Sequence, residues 1–465
     1  MSTASWCRAP AAIVLLSSVG SMESLRRLAS NVASLGFALA VGAVAAALAA
    51  GIVFGGAGSN AVPPIALAAL LVLLCFPLIR WAVGPDPTLR AIAYGGLVAK
   101  IGGTVLRFQL TADSSDALLY NARGARIAGW LAEGMVWPNE HRVQGGGHGT
   151  TNLSYVVGWF YHRVGVDKLT AYVAWAFLGF LGLLLIFRAA SAAVPQLDRR
   201  RYALLLFFLP SLLFWPASLG KDAWMLCALG FATTGVAAVT SHRYSLVGMT
   251  SLAFGLLMAG WIRPHVAALA TVALLSALIW PGRVGKNVLQ QVIGLIIAVA
   301  ILLVAIDQVA EFFGSERFEV TAVLDKAESV SAEGGSEFDP TPITSPANFA
   351  PGLFTVIFRP FPFEASSIVQ LMTGFESLAI LGLALIGLGR LRTVPRAFTN
   401  NGMIRFAVIY LLGFVVAFSV ISNFGILARQ RAQMWPYLLM LISLKPSAAL
   451  KRHRTVAAAT TGSTA

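Results

Sequence analysis

The feature that most constrains this chain is its series of apolar runs, several of which continue for about 20 residues, the length of a bilayer-crossing helix. Of its 465 residues, 57% are hydrophobic and only 12% are charged, whereas a soluble domain is typically about 25% charged. The runs are continuous rather than alternating, which argues against a transmembrane β-barrel. The sequence therefore predicts an all-α fold, a polytopic bundle of transmembrane helices.

The apolar runs predict about twelve spans. We expect a cytoplasmic N-terminus over residues 1–33, a transmembrane domain over 34–447 and a basic cytoplasmic tail over 448–465. Residues 1–21 read poorly as structure, and Met22 offers a more natural start. The stretch 202–241 can also be read as a re-entrant pair. The expected spans are 34–55, 62–80, 91–110, 168–188, 202–217, 222–241, 244–261, 265–282, 287–312, 367–389, 405–422 and 432–447.

Basic residues set the expected orientation. If Arg26 and Arg27 are cytoplasmic, the loops on that side hold most arginines and almost no acidic residues, as the positive-inside rule requires. The two long outer loops are then 111–167 and 313–366, and both termini are cytoplasmic. We expect a bacterial inner-membrane protein whose net charge of +14 belongs to cytoplasmic loops and not to a nucleic-acid surface.

Four short stretches place charged residues on the outer side, against the positive-inside trend. Taken singly, each is explained as well by a structural role as by anion binding. That structural role is a helix-boundary ion pair for Lys221 and Asp222, and an arginine reaching for headgroups in the other three stretches. Taken together they favour a cationic cavity that binds a phosphate, because arginine's planar fork suits phosphate oxygens. The residues are Lys221 and Asp222 in SLGKDAW, Arg263 and His265 in WIRPHVA, Arg359 and Glu364 in FRPFPFEA, and Arg429 and Arg431 in NFGILARQRAQ.

The first outer loop supplies the candidate acids. From Asp116 the pattern is helical, with an apolar stripe that includes Leu118 and Leu119, and it predicts a helix lying in the membrane interface. Asp113 is equally well read as a helix cap, and the sharper hypothesis makes Asp116 or Asp113 a general base. The glycine-rich stretch QGGGHGTTN, residues 144–152, is interpreted as a mobile loop rather than a binding loop.

No cofactor is predicted, because His, Cys, Asp and Glu show no metal-ligand spacing and the three cysteines are scattered. A divalent cation on Asp113 and Asp116 stays open as an alternative.

The outer segment D-x-x-D-x-x-x-Y, formed by Asp113, Asp116 and Tyr120 and followed by a helix ending in LAEG, resembles the first outer loop of GT-C-type integral-membrane glycosyltransferases. The resemblance implies a polyprenyl-phosphate-linked sugar donor and transfer outside the cytoplasm to a glycan or lipid acceptor. It also implies that Asp116, or else Asp113, is the catalytic base, and that basic residues of later outer loops hold the lipid phosphate.

Two other functions remain open. The segments around Arg359 and Arg429 also look like those of polymerases or ligases that act on lipid-linked glycans in exopolysaccharide assembly. A non-enzymatic transporter or flippase would instead place charged residues near the midplane of broken spans, where the candidates are Lys100, Asp307 and Glu376.

Overall fold

The computed structural model describes residues 62–111, 116–135, 148–241, 246–279 and 337–446. Regular structure in these ranges is helical. The β contacts there are two isolated bridges, Leu197 with Leu444 and Glu337 with Asn423. The all-α prediction is therefore confirmed for the described part of the chain.

The helices of the described residues are numbered here in chain order. They are α1 Val62–Val83, α2 Pro87–Thr111, α3 Asp116–Ala132, α4 His148–Val164, α5 Lys168–Ala193, α6 Arg199–Phe208, α7 Pro210–Phe214, α8 Lys221–Thr240, α9 Leu246–Ile262, α10 Pro264–Ile279, α11 Phe349–Phe358, α12 Ile368–Ile386, α13 Leu388–Leu391, α14 Val394–Asn400, α15 Gly402–Phe418, α16 Phe424–Gln430 and α17 Trp435–Ile442.

Four of these helices, α2, α5, α8 and α12, are long and apolar enough to cross a membrane. A fifth span results if 388–400 and 402–418, which meet at 112°, form one bent crossing. Shorter apolar segments are Leu67–Val83 within α1, α9, Pro264–Leu278 within α10, and Pro346–Phe358, which includes α11. The membrane-protein prediction thus has support among the described residues, whereas a count of twelve spans is not confirmed. The spans expected at 34–55 and 287–312 lie outside the described residues.

Two expected spans differ from the prediction. The stretch expected at 202–217 is broken, because α6 ends at Phe208, Leu209 is extended, and α7 begins at Pro210 and gives way to a 3₁₀ turn containing Pro216. Proline lacks an N–H and clashes with the preceding turn, so each break has a local cause. The span expected at 432–447 is helical only over α17, eight residues long.

The centre of the bundle is formed by α5, α8 and α9, which pack through small residues. A Cβ on Gly230 of α8 would lie 2.8 Å from the Cα of Gly182 on α5. A Cβ on Gly255 of α9 would collide with the backbone of Ala232 on α8. Such close backbone approach is how helices associate where no hydrophobic effect drives them together.

The bundle has two chemically different ends. At one, hydrogen bonds tie the helix ends together: Arg199 donates to Val83 O (2.9 Å), Asn401 to Ala193 O (2.7 Å) and Arg405 to Ala277 O (3.2 Å). We call this the basic end, since Arg80, Arg188, Arg199, Arg200, Arg201 and Arg390 also lie there. The opposite end, called the site end, carries Asp116, Lys221, Arg263 and Arg429.

Candidate functional site

A chain of ion pairs joins four elements at the site end. Nη1 of Arg429 lies 2.7 Å from Oδ2 of Asp116, and Nε of Arg429 lies 2.7 Å from Oδ2 of Asp222. The other oxygen of Asp222 accepts a hydrogen bond from Nη2 of Arg263 at 3.0 Å. Asp222 and Arg263 are almost fully buried, whereas 53% of the Asp116 side chain is exposed. The cluster therefore has a buried interior and one accessible carboxylate.

Local structure explains why these residues meet. Asp116 and Asp222 each lie in the first turn of a helix, α3 and α8, where a carboxylate complements the positive end of the helix dipole. Arg263 occupies the junction of α9 and α10, and Arg429 lies in the last turn of α16, whose first turn is capped by Asn423. The expectation that Asp222 begins a helix is thus confirmed.

A second group adjoins the ion pairs. Nζ of Lys221 donates to Oγ1 of Thr150 at 2.8 Å, and Thr150 also shares a side-chain hydrogen bond with Tyr120. Thr150 thereby links the first turn of α8 to α3. The interpretation of residues 144–152 as a loop is wrong from His148 onward, because α4 begins there; residues 144–147 lie outside the described residues.

Close packing fixes the position of Thr150. Its neighbour Gly149 sits so near α9 that an added Cβ would collide with the carbonyl oxygen of Ile262. Nδ2 of Asn152 donates to Trp261 O at 2.7 Å, which adds a second tie between α4 and α9. Only a residue without a side chain allows this approach.

The helix predicted from Asp116 onward is present as α3. Its packed face holds Ala117, Tyr120, Gly124, Ile127 and Leu131. Leu118 and Leu119, which the predicted apolar stripe included, are exposed. The predicted stripe is thus split, because Ile127 and Leu131 are packed whereas Leu118 and Leu119 are exposed. Gly124 lets α4 approach, since a Cβ there would collide with Val157.

Arg107, on α2, belongs to the same cluster and was not predicted. It is buried, it lies within electrostatic range of Asp116, Asp222 and Arg429, and its guanidinium carbon sits 4.7 Å from the ring centroids of both Phe214 and Trp215. Within the described residues, Nε of Arg107 has no hydrogen-bond partner. A buried donor without a partner is costly, so it indicates a place where an anion could bind.

The charges of this cluster do not balance. Its cations are Arg107, Lys221, Arg263 and Arg429, and its carboxylates are Asp116 and Asp222. Nη1 of Arg263, like Nε of Arg107, lacks a partner within the described residues. Excess positive charge with unused N–H donors is the electrostatic pattern of an anion site.

The aromatic pair that holds Arg107 is itself positioned by two buried charges. Nζ of Lys100 donates to the carbonyl oxygens of Leu212 (2.9 Å) and Leu213 (3.3 Å), near the end of α7. Oε2 of Glu376 accepts from the backbone N–H of Ser211, near the start of α7, at 2.5 Å. The cation at the C-terminal end and the acid at the N-terminal end both suit the helix dipole.

An apolar groove leads toward the cluster. It lies between α1, α2 and α5 and is lined by residues such as Val72, Leu97, Ile101, Val173 and Phe177, with Lys100 and Thr104 also on its wall. Arg107 lies one helical turn beyond Thr104 in the direction of the site end. The groove therefore runs along the helix that carries a cation of the cluster.

Two groups of α3 show how the cluster alters acidity. Arg429 holds the pKa of Asp116 below its usual range by charge attraction and hydrogen bonding, and this outweighs partial burial. Burial raises the pKa of Tyr120 to about 12. At neutral pH, Asp116 is thus a carboxylate and Tyr120 a neutral phenol.

The remaining predicted site residues have other partners. His265 is close enough to Arg263 and Lys221 to feel their charge. Arg359 forms a two-pronged ion pair with Oε1 of Glu364, at 2.8 and 2.6 Å, and its guanidinium lies over the rings of Phe338 and Phe424. Phe424 is on α16, so Arg359 sits beside the helix that carries Arg429 but binds no residue of the cluster in these contacts.

Arg431 departs from its predicted role. It is fully buried and donates to the carbonyl oxygens of Val356 (2.6 Å), Thr355 (3.3 Å) and Arg359. These carbonyls lie at the end of α11, where helical partners run out. Such contacts make Arg431 a cap for that helix rather than the phosphate ligand that we expected.

The open question of a divalent cation has only a partial answer. Asp113 lies outside the described residues, and Asp116 is paired with Arg429. Among the residues that the structure describes, no group of three or more His, Cys, Asp and Glu side chains could hold a metal ion.

Comparison of the chain with protein-family models, with curated proteins and with solved structures found no match.

Proposed function

We propose that this chain is a membrane-embedded glycosyltransferase that moves a sugar from a polyprenyl-phosphate-linked donor to a glycan or lipid acceptor. The observation that carries the proposal is the ion pair between the half-exposed Asp116 and Arg429, at the edge of a cluster with excess positive charge. A carboxylate that can accept a proton thus lies beside cations that can bind a phosphate.

The transfer step uses both halves of this arrangement. The acceptor's hydroxyl oxygen bonds to the anomeric carbon of the sugar, and the bond from that carbon to the phosphate oxygen breaks. The bonding electrons leave with the phosphate, and the hydroxyl proton goes to Asp116. Because negative charge grows on the departing phosphate, preorganised cations such as Arg429 and Arg263 stabilise the transition state more than the ground state.

The pairing of Asp116 with Arg429 gives the base a means of activation. Arg429 lowers the pKa of Asp116, which makes the free carboxylate a weak base. When the Arg429 guanidinium turns toward a donor phosphate, its attraction for the Asp116 carboxylate weakens. The pKa of Asp116 then rises, and the carboxylate becomes a stronger base. Donor binding and base strength are coupled in this scheme.

The lipid part of the donor fits the apolar groove between α1, α2 and α5. A prenyl chain in contact with Val72, Ile101 and Phe177 would bring its phosphate to the Arg107 side of the cluster. Arg107 would then bind the phosphate through its unpartnered Nε, while Phe214 and Trp215 keep the guanidinium in place.

Two of the three charges that a transporter would use near the midplane have structural partners, and the third, Asp307, lies outside the described residues. Lys100 and Glu376 bind opposite ends of α7, so neither needs a transported ion to explain it. This favours an enzyme over a transporter. A polymerase or ligase of lipid-linked glycans would use the same phosphate chemistry. The identity of the acceptor distinguishes such an enzyme from a glycosyltransferase that transfers a single sugar.

For localisation, we propose a bacterial inner membrane with the site end on the extracytoplasmic side. Arginines crowd the basic end, and the positive-inside rule puts such an end in the cytoplasm. Single cysteines at Glu133, just after the helix that begins at Asp116, and at Arg396, at the basic end, test this with an impermeant thiol reagent in a background without Cys7, Cys75 and Cys227. Labelling of Glu133→Cys only after the cells are opened would contradict the proposed side.

The function itself is tested by the lipids and glycans of a deletion strain complemented with wild type, Asp116→Asn or Glu133→Gln. Glu133 is an exposed acid in the turn directly after the same helix and serves as the matched control. We expect polyprenyl-phosphate-linked sugar to accumulate and one glycan product to disappear with the vector and with Asp116→Asn, but not with Glu133→Gln. An unchanged glycan profile in the deletion strain would refute the proposal.

A further inference from the structure

Positive charge is concentrated at the first turn of α6, at the basic end and far from the candidate site. Arg199, Arg200 and Arg201 are consecutive, and Arg390 reaches the same place from α13. The carboxylate of Asp198 pairs with Nη1 of Arg390 at 3.3 Å and accepts from the backbone N–H of Arg201 at 3.3 Å. Two acids, Asp198 and Asp86, among four arginines leave a positive excess.

Arg201 has unused donors, and Arg200 is exposed. Nε and Nη2 of Arg201 are buried and have no hydrogen-bond partner within the described residues. The Arg200 side chain is 64% exposed and approaches only Asp86, at 3.7 Å. Arg199 differs, because it donates to Val83 O. Arg200 and Arg201 are thus the members of the run that could bind an anion.

An exposed apolar stripe continues from Arg200 along α6. Leu204 and Phe208 follow at intervals of four residues, which places all three on one face of the helix. Both side chains are exposed, by 50% and 41%. A charged group beside two exposed apolar residues can contact both the headgroup and an acyl chain of one phospholipid.

A tryptophan marks the level of the headgroups at this end. Trp81 is exposed, and the guanidinium of Arg188 lies 4.1 Å from its ring centroid. Tryptophan is enriched where a membrane meets water. Val83, two residues further, binds Arg199, so the first turn of α6 lies close to the depth of Trp81.

We propose that Arg200 and Arg201 bind the phosphate of an anionic phospholipid in the leaflet at the basic end, with an acyl chain along Leu204 and Phe208. Guanidinium groups bind phosphate oxygens with two parallel hydrogen bonds, and basic pockets beside membrane helices recognise anionic headgroups. The inference does not depend on the glycosyltransferase proposal, because none of these residues belongs to the site end.

Native mass spectrometry of the purified full-length protein tests this by titration with phosphatidylglycerol or phosphatidylcholine. We expect tighter binding of phosphatidylglycerol to wild type and a loss of roughly fivefold in affinity for each arginine replaced in Arg200→Gln and in Arg200→Gln/Arg201→Gln. The matched control is Arg396→Gln, which removes an exposed arginine at the same end and should bind as wild type does. The single variant keeps the test valid if the double variant does not fold.

Two further arms separate a lipid from a free anion. Leu204→Ser should weaken phosphatidylglycerol binding, and inorganic phosphate at matched concentration should not displace the lipid. Equal affinity for both lipids in wild type, unchanged affinity in Arg200→Gln, or an equal loss in Arg396→Gln would overturn the inference. Displacement of the lipid by inorganic phosphate would overturn it in favour of a soluble anion.

Discussion

Arg429 contacts Asp116 at 2.7 Å through Nη1, although the two residues belong to opposite parts of the chain. The same guanidinium contacts Asp222 through Nε. One arginine therefore connects an accessible acid with a buried one, and the two acids should respond differently to replacement.

Replacement of Asp116 by Asn should abolish sugar transfer while the protein still folds. Half of the side chain is exposed, and Arg429 keeps its second partner, Asp222, so the loss of one contact is tolerated. Loss of a general base typically slows a reaction by about 10²–10⁴-fold. The measurement is the initial rate of transfer from a polyprenyl-phosphate-linked sugar, with Glu133→Gln as the control. A rate within threefold of wild type, on the order of the scatter between neutral variants, would remove Asp116 from the mechanism.

Replacement of Asp222 by Asn should destabilise the protein instead. Both oxygens of Asp222 hold guanidinium groups in a buried setting, and removing one partner of such a pair typically costs about 3–5 kcal/mol. Asp198, which is partly exposed beside Arg390, is the comparison, and Asp198→Asn should cost about 0–1 kcal/mol. Thermal unfolding in detergent measures both. Equal losses would mean that the Asp222 cluster is solvated.

The acidity of Asp116 predicts a pH dependence. Its folded-state pKa is lowered by Arg429, so the ion pair contributes stability above the unfolded pKa of about 3.9 and loses it as the pH falls through the folded value. Between neutral pH and about pH 3, wild type should lose more stability than Asp116→Asn. The plateau of kcat/KM, which reports the free enzyme, should likewise extend on the acid side below the ordinary aspartate range. Parallel acid-unfolding curves for the two proteins would argue against the pair.

Arg107→Gln should weaken donor binding with less effect on folding. The substitution removes the charge. Phe214 and Trp215, which hold the Arg107 side chain, keep their anchor in Lys100. A hydrogen bond to a charged group is worth about 1.5–3 kcal/mol, so the donor KM should rise roughly tenfold or more. Arg107→Lys should recover part of the affinity. A KM equal to that of wild type in Arg107→Gln would place the phosphate elsewhere.

Features that depend on neighbouring residues in the sequence were predicted, whereas features that depend on tertiary contacts were not. Apolar runs and a helix starting at Asp222 are local, so they could be read directly. Lys221, Arg263 and Arg429 were picked out because each broke the charge trend of its side of the membrane, and they do converge. Arg107 broke no such trend, since it interrupts an expected span. Its position became interpretable only from the break at Pro216, next to the Phe214 and Trp215 rings that its guanidinium contacts.

Other residues could not be interpreted without tertiary contacts. Arg431 has the same sequence signal as Arg429, two positions away, yet its donors bind the carbonyls at the end of α11. Thr150 was not predicted, because it lies in a glycine-rich stretch that suggests a flexible loop. In the structure, Gly149 instead permits close packing against Ile262. Nothing in the sequence near either residue records which helix lies beside it.

The packing of Gly149 provides the last prediction. Gly149→Ala should lower transfer activity, since a methyl group there would collide with Ile262 O and push α4 away from α9. Thr150 would then move away from Lys221, which it contacts at 2.8 Å. Overpacking of this kind costs about 1–3 kcal/mol. The matched control is Gly129→Ala on α3, where a Cβ meets nothing within 4 Å. Because alanine favours a helix over glycine by about 1 kcal/mol, the control should be neutral or stabilising. Thermal unfolding and transfer rates of the two variants make the comparison, and a Gly149→Ala protein as active as Gly129→Ala would show that the link between Thr150 and Lys221 is dispensable.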